Sequence, residues 1–189
     1  MINDILVIMA LKKEGGENLE KLGARVVYCG LGKVNAAMVL AEEIMKNPPK
    51  LIVNLGTAGS SLFKKGELIA CHQFIQRDMD VSPLGYKPFE TPFDEGPIVI
   101  EHPKTFHHLK HGICGTGDSF DTSHDGSKGE LVDMEGYALA KVAKKHNIPF
   151  ACAKYISDGA DDKADEDWYE GLKSSPERFE QLFVQSFVK

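Results

Sequence analysis

The chain contains the stretch Leu51-Ile52-Val53-Asn54-Leu55-Gly56-Thr57-Ala58-Gly59. Residues 51–54 are an apolar run typical of a strand buried on both faces of a sheet. The glycines that follow end such a strand tightly, and they also let backbone amide groups approach a ligand. In an α/β sheet, ligands bind at the carboxyl ends of strands. The stretch therefore indicates a buried strand followed by either a ligand-binding turn or a purely structural one.

Similar apolar runs recur along the chain, with helical periodicity between them. We predict strands at 5–9, 26–29, 51–54, 68–75, 98–100 and 150–156, and helices at 35–45 and 136–146. A closing amphipathic helix is predicted to begin with Ser175 as its N-cap and Pro176 at its first position. This alternation predicts an α/β fold: a single domain over residues 1–189 with a mixed, mostly parallel sheet flanked by helices on both faces.

Composition limits the class of function. The 189 residues carry a net charge of -6, and only three of the 22 basic residues are arginines, which argues against a nucleic-acid surface. No apolar run approaches the roughly 20 residues that span a bilayer. The N-terminus also lacks the pattern of a signal peptide. We therefore expect a cytoplasmic protein with a small-molecule partner and no nucleic-acid or membrane partner.

The four cysteines each lie in an apolar run, and none forms a Cys-x-x-Cys pair. This usage predicts buried, reduced thiols without a chemical role. The residues are Cys29, Cys71, Cys114 and Cys152.

Two more glycine-rich turns are found at residues 30–33, after the predicted strand 26–29, and at residues 115–118, after Ile113. Neither these turns nor the one at 54–59 has the dinucleotide-binding fingerprint or the Gly-x4-Gly-Lys-Ser/Thr pattern of a phosphate loop. The sequence therefore disfavours nicotinamide cofactors and nucleoside triphosphates, and we predict no cofactor.

Acidic residues stand at the ends of predicted strands. Asp133, Glu135 and Asp158 are each placed where burial of a carboxylate costs desolvation energy. Each could act chemically or could cap the helix that follows. Glu14, just past the first strand, could likewise act chemically or be a surface charge in the run 12–14.

Five motifs in this order resemble the nucleoside phosphorylase and nucleosidase superfamily, particularly the methylthioadenosine/S-adenosylhomocysteine nucleosidases. They are residues 30–37, residues 54–59, Gly117-Asp118-Ser119-Phe120, Val132-Asp133-Met134-Glu135-Gly136 and Ile156-Ser157-Asp158. The resemblance implies a nucleoside phosphorylase-like fold and a homodimer. It also implies hydrolysis of the N-glycosidic bond of a purine nucleoside to free base and a ribose derivative.

The resemblance also implies roles for individual residues. Asp158 matches the aspartate that protonates purine N7, because the base departs as an anion unless it receives a proton. Glu14 matches the glutamate that positions or activates the attacking water. Glu135 matches the glutamate that binds the ribose hydroxyls and favours the developing positive charge of the sugar.

Other positions complete the implied substrate site. Thr57 stands where the family has a serine near the water, and Ala58 and Gly59 follow in the same turn. Phe120 matches the aromatic residue that stacks on the purine, with a core phenylalanine as the alternative, and Met134 would pack against the sugar. Lys154 takes the place of a family arginine, and a lysine cannot reproduce a bidentate guanidinium.

Metal ligation is not predicted. His107 and His111 are four residues apart and would share a helix face, but no Cys or acidic partner lies nearby in sequence. We interpret the histidines of residues 102–111 as a solvated surface stretch. The acidic run after Asp158 lacks the spacing of a calcium loop and is interpreted as a solvated loop and helix start.

Two alternative functions stay open at this point. The same fold can use phosphate instead of water, although arginines are scarce near the glycine-rich turns. A non-catalytic purine-nucleoside binding module would need neither Glu14 nor Asp158. The sequence fixes neither the 5′ substituent nor a 6-amino or 6-oxo base. We expect the irregular segment 78–97 to lie near the 5′-side pocket and the dimer interface.

Overall fold

The computed structural model describes residues 2–188. Its strands are Ile5–Met9 (β1), Arg25–Tyr28 (β2), Leu51–Gly59 (β3), Leu68–Gln76 (β4), Ile100–Glu101 (β5), Lys110–Thr116 (β6), Leu131–Asp133 (β7) and Phe150–Asp158 (β8). Its α-helices are Lys12–Gly15 (α1), Asn18–Lys21 (α2), Lys33–Lys46 (α3), Gly136–Lys145 (α4) and Ala164–Phe187 (α5). All six predicted strands coincide at least partly with observed ones, although the run at 98–100 shares only Ile100 with β5. The two helices predicted at 35–45 and 136–146 correspond to α3 and α4.

Five strands close into a barrel. β3 pairs with β8, β8 with β4, β4 with β6, β6 with β7, and β7 returns to β3 through the pair Gly59 and Val132. β1 and β2 extend the sheet outward from β3, and β5 extends it from β4. The β3–β7, β4–β5 and β4–β8 pairs are antiparallel and the others are parallel, so the predicted mixed, mostly parallel sheet is confirmed.

Helices cover both faces of the sheet, as predicted. Along β1, Leu6 and Ile8 join the core beneath α3 and α4, whereas Val7 and Met9 join the core beneath α5. This division follows from the two-residue period of a strand, which sends successive side chains to opposite faces. The sheet is therefore apolar on both sides.

The closing helix begins earlier than predicted. α5 starts at Ala164, and Pro176 lies inside it rather than at its first position. Ser175 does not cap the helix, because it also lies inside α5. Its Oγ donates a hydrogen bond to the carbonyl oxygen of Glu14 at 2.9 Å. The buried face of α5 includes Gly171 and Ser175, which contribute no apolar side chain. Hydrophobic periodicity in the sequence therefore did not reveal the first half of this helix.

The buried cysteines match their prediction, since all four are free and buried. Across residues 2–188, no helix is both long enough and apolar enough to cross a membrane. Segment 78–97 contains a 3₁₀ turn at Ser82–Leu84 and is otherwise irregular.

Candidate active site

A cavity of about 370 Å³ opens at the carboxyl ends of β3, β7 and β8. Eight of the nine predicted site residues line it, namely Glu14, Thr57, Ala58, Gly59, Phe120, Met134, Glu135 and Asp158. The ninth, Lys154, does not line the cavity, but its buried Nζ lies 2.7 Å from Oδ2 of the lining residue Asp133. The strand-end carboxylates therefore converge on one space.

Three hydrogen bonds hold the carboxylate of Glu14. Its Oε1 accepts hydrogen bonds from the amide of Thr57 at 2.9 Å and from the Thr57 hydroxyl at 2.8 Å. Its Oε2 accepts one from the amide of Leu11 at 3.0 Å. The side chain is buried, so Glu14 is not the solvated surface charge that the run 12–14 also allowed.

Asp158 ends β8 in a buried position. Its Oδ2 accepts a hydrogen bond from the Ser157 hydroxyl at 2.7 Å, and its Oδ1 accepts one from the amide of Ala160 at 2.9 Å. Burial raises the pKa of Asp158, which lets the carboxyl hold a proton to a higher pH than usual. It does not cap the following helix, because Lys163 occupies the N-cap position of α5.

Glu135 lies at the start of α4 with its side chain turned across the cavity. Its Oε1 accepts a hydrogen bond from the amide of Gly32, at the start of α3, at 2.9 Å. Burial, together with the neighbouring Asp133 carboxylate, raises the pKa of Glu135 to about 8. This carboxyl is therefore protonated near neutral pH in the free protein.

Asp133 and Lys154 form a buried ion pair of 2.7 Å. Burial alone would raise the pKa of Asp133, but the Lys154 ammonium, the Thr116 hydroxyl and the Gly136 amide outweigh burial and lower it. The Asp133 carboxylate in turn outweighs burial at Lys154 and raises the pKa of the ammonium. The bond from the Gly136 amide to Asp133 Oδ2, 2.8 Å long, makes Asp133 a cap for the first turn of α4.

The loop that carries Phe120 is fastened by an arginine. Arg77 donates to the carbonyl oxygen of Ser119, to its hydroxyl at 3.2 Å, and to Oδ2 of Asp121 at 3.4 Å. Both the Arg77 and Asp121 side chains are buried. Phe120 itself is 49% exposed, so it is not a core phenylalanine.

The N-terminal part of α5 supplies lining residues that the sequence analysis missed. Asp165, Trp168 and Tyr169 all face the cavity. Trp168 donates its indole N–H to the Thr57 hydroxyl oxygen at 3.0 Å. The signal available in the sequence was the single tryptophan of the chain, which stands within an acidic run.

Two expectations about the histidines are wrong. His107 and His111 do not share a helix face, because His111 lies on β6, and His102 is packed against Phe74 and Phe150 instead of being solvated. Within the part of the chain that the structure describes, no group of three or more His, Cys, Asp or Glu side chains is arranged to hold a metal ion. Segment 78–97 contributes none of the described residues that line the cavity.

Comparison with known proteins gives consistent matches. The family model described as "Phosphorylase superfamily" matches residues 18–189. A 5′-methylthioadenosine/S-adenosylhomocysteine nucleosidase of Staphylococcus haemolyticus is 29% identical over 180 residues, which cover 85% of this chain and 78% of that protein. An aminodeoxyfutalosine nucleosidase of Helicobacter pylori is 30% identical over 169 residues, which cover 79% and 74%.

Solved structures show the same fold. A Helicobacter pylori 5′-methylthioadenosine/S-adenosylhomocysteine nucleosidase with butyl-thio-DADMe-Immucillin-A superimposes with a TM-score of 0.89 at 24% identity. The superposition covers 98% of each chain.

Proposed function

This chain belongs to the phosphorylase superfamily, and we propose that it is a nucleosidase that hydrolyses the N-glycosidic bond of a purine nucleoside to free base and a ribose derivative. The observation that carries the proposal is the convergence of Glu14, Glu135 and Asp158 on one cavity. Curated relatives named as nucleosidases of this kind cover most of the chain.

Departure of the base begins the reaction. The bond between C1′ and N9 breaks, its electron pair goes to the purine, and the carboxyl of Asp158 donates its proton to purine N7. The raised pKa of the buried Asp158 suits this role, since a general acid must be protonated at the working pH. The base then leaves as a neutral molecule.

Water completes the reaction at the sugar. The water oxygen attacks C1′ as positive charge develops there, and its proton passes to the carboxylate of Glu14. Glu135 orients the ribose through its hydroxyls, with Met134 packed beside the sugar and Phe120 against the base. The hydrogen bonds from the ribose to Glu135 hold C1′ in place for this attack.

The pairing of the nearby cations supports water over phosphate as nucleophile. Arg77 is bound to Asp121 and Ser119, and Lys154 is bound to Asp133. Lys33 is bound to Asp78 at 2.5 Å. A phosphate nucleophile carries negative charge and would have to compete with these carboxylates for its cations.

We propose methylthioadenosine or adenosylhomocysteine as the leading substrate class. Several curated relatives are named for these two nucleosides. The aminodeoxyfutalosine nucleosidase of Helicobacter pylori makes a nucleoside with a different 5′ group the second candidate. Both candidates require the same bond cleavage.

We also propose that the protein acts as a cytoplasmic homodimer without nucleic-acid or membrane partners. Exposed apolar side chains on the surface support an interface, with Phe93 at 95% and Leu84 at 74% exposure in segment 78–97. Free, buried cysteines suit a reducing compartment. Sedimentation velocity should give twice the mass of one chain.

The function is tested by chromatographic detection of free base. The panel is methylthioadenosine, adenosylhomocysteine, aminodeoxyfutalosine, adenosine and inosine, each with and without phosphate. We expect phosphate-independent release from at least one 5′-substituted nucleoside and its loss in Asp158→Asn. Release only with phosphate would indicate a phosphorylase, and calorimetric binding without release would indicate a binding module.

A further inference from the structure

Trp168 connects α5 to the carboxylate that serves the attacking water. Its indole Nε1 lies 3.0 Å from the Thr57 hydroxyl oxygen, which in turn lies 2.8 Å from Oε1 of Glu14. These three side chains come from parts of the sequence separated by 43 and 111 positions. The contact is therefore made by the fold and not by local sequence.

The chemistry of the three groups fixes the direction of donation in this pair of hydrogen bonds, from Trp168 through Thr57 to Glu14. An indole N–H can only donate, so the Thr57 oxygen must accept from Trp168. A hydroxyl has a single proton, and with its oxygen engaged by the indole that proton points to Glu14, a carboxylate that only accepts when ionised. Trp168 thereby fixes the rotation of the Thr57 hydroxyl.

This direction leaves the two oxygens of Glu14 unequal. Oε1 accepts from both the amide and the hydroxyl of Thr57, which occupies its two lone pairs. Oε2 accepts only from the Leu11 amide among the described groups and keeps one lone pair for a further donor. A water molecule entering from the cavity would meet its acceptor at Oε2.

The position of Trp168 is itself fixed. Lys65 forms an ion pair with Asp167, the residue before it, and joins α5 to the connection between β3 and β4. Ser175 donates to the carbonyl oxygen of Glu14 two turns farther along the same helix. Helix α5 is thus bound to Glu14 at its backbone and, through Thr57, at its side chain.

We infer that Trp168 is a positioning residue for the hydrolytic water: by directing the Thr57 hydroxyl to Oε1 of Glu14, it reserves Oε2 as the acceptor of the water proton. The inference rests on the proposed hydrolytic function. Without the indole donor, the hydroxyl is free to turn away, and Oε1 becomes a second acceptor that draws water out of line with C1′.

The test is a double-mutant cycle measured by release of free base from the best substrate of the wild-type protein. Trp168→Phe removes the N–H and keeps an aromatic ring. We expect kcat to fall about tenfold, the upper end of the effect of one hydrogen bond between neutral groups, while KM changes less than about threefold because binding contacts remain. In a Thr57→Val background, which lacks the hydroxyl, Trp168→Phe should cause no further loss.

A matched control removes a different aromatic donor. Tyr28 donates to Glu20 at 2.7 Å, outside the cavity, so Tyr28→Phe should leave kcat unchanged. If Trp168→Phe does not fold, the single tryptophan allows replacement by benzothienylalanine in a tryptophan auxotroph, since sulfur then replaces the N–H at this one site. The same tenfold fall is expected.

Three results would overturn the inference: an unchanged kcat without the N–H, a loss confined to KM, or independent losses from Trp168→Phe and Thr57→Val that multiply. Any of these with an active wild-type protein leaves the proposed function intact. Failure of the wild-type protein to release base from any nucleoside would instead reject the proposed function.

Discussion

At the scale of single residues, the carboxyl groups around the cavity differ in charge because their neighbours differ. Asp133 is paired with the Lys154 ammonium and stays ionised, whereas burial raises the pKa values of Asp158 and Glu135. One space therefore contains an ionised carboxylate beside carboxyl groups whose burial favours the protonated form. Of these groups, Asp158 is the one assigned to the acid step, and its raised pKa suits that role.

The raised pKa of Glu135 makes stability depend on pH. Its folded value of about 8 exceeds the model-compound value of 4.5, so its contribution is complete below pH 4.5 and is lost as pH rises to 8. Glu135→Gln cannot ionise and avoids this loss. We expect the variant to gain a few kcal/mol of unfolding free energy over wild type between pH 5 and pH 8, since one pKa unit is about 1.4 kcal/mol.

Urea unfolding at pH 5, 6.5 and 8 measures this difference. Glu43→Gln is a control of opposite sign, because Arg25 lowers the pKa of Glu43 and its contribution is present at neutral pH. Parallel pH profiles for Glu135→Gln and wild type would contradict the expectation.

The pair of Lys154 and Asp133 is sensitive to removal of one partner. Lys154→Met leaves a buried, uncompensated carboxylate, and we expect a loss of about 3–5 kcal/mol of unfolding free energy. Adding Asp133→Asn should restore part of it, because the amide oxygen still accepts a hydrogen bond without bearing charge. The exposed pair of Lys110 and Glu67 is the control, and Lys110→Met should cost less than about 1 kcal/mol.

Thermal and urea unfolding of the wild type, Lys154→Met, the double variant and Lys110→Met measure these stability differences. A double variant no more stable than Lys154→Met alone would show that charge is not the cause of the loss.

Motif order could indicate Glu135 and Asp158 as site residues, and counting from the first predicted strand could indicate Glu14. Trp168 could not be found in this way. Its partner Thr57 lies 111 positions away, and only packing of α5 on the sheet brings them together.

At the scale of elements, the loop 117–121 is fastened on both sides of Phe120. The Asp118 carboxylate accepts a hydrogen bond from the amide of Lys33 at the start of α3 at 2.8 Å, and the Asp118 amide donates to Asp78 at 2.9 Å. Arg77 holds the residues on either side of Phe120. Hydrogen bonds on both sides of Phe120 therefore support its exposed ring.

Arg77→Met should loosen this support. We expect KM for the nucleoside to rise about tenfold or more with a smaller change in kcat, because the ring would no longer be held ready for the base. Arg25→Met is the matched control: Arg25 ties β2 to α3 through Glu43 and the Asn47 carbonyl, away from the cavity. It should lower the melting temperature and leave KM unchanged, and equal KM changes in both variants would contradict the prediction.

Element boundaries were predictable where hydrophobic periodicity was strong. α3 and α4 have clear apolar stripes, but the first half of α5 buries Ala164, Gly171 and Ser175, which carry little apolar signal. Strand β7 has only three residues and was therefore too short for a pattern.

At the scale of the whole molecule, closure of the barrel was beyond the reach of sequence patterns. Alternation of strands and helices predicts a mostly parallel sheet but says nothing about β8 pairing with both β3 and β4. The segment that leads into β7 packs tightly on β6 at Gly115, where a Cβ would collide with the carbonyl oxygen of Lys128.

Gly115→Ala should therefore weaken the whole fold. We expect a loss of roughly 3 kcal/mol of unfolding free energy, since the obstacle is backbone and cannot move aside like a side chain. Gly96→Ala is the control, because its nearest neighbour is the end of the exposed Asp94 side chain at 3.2 Å. Urea unfolding compares the two variants, and equal stabilities would contradict the importance of the close approach between Gly115 and Lys128.

The reaction rate of the buried thiols can report when the closed barrel opens. Cys71, Cys114 and Cys152 lie on β4, β6 and β8, and each of these strands is paired on two sides. A thiol-reactive dye can reach them only after the ring breaks, so the three should react together at the rate of global unfolding. Cys29, which directly follows the outer strand β2, should react earlier. The interval between the two reaction phases measures how long the barrel stays closed after β2 has detached.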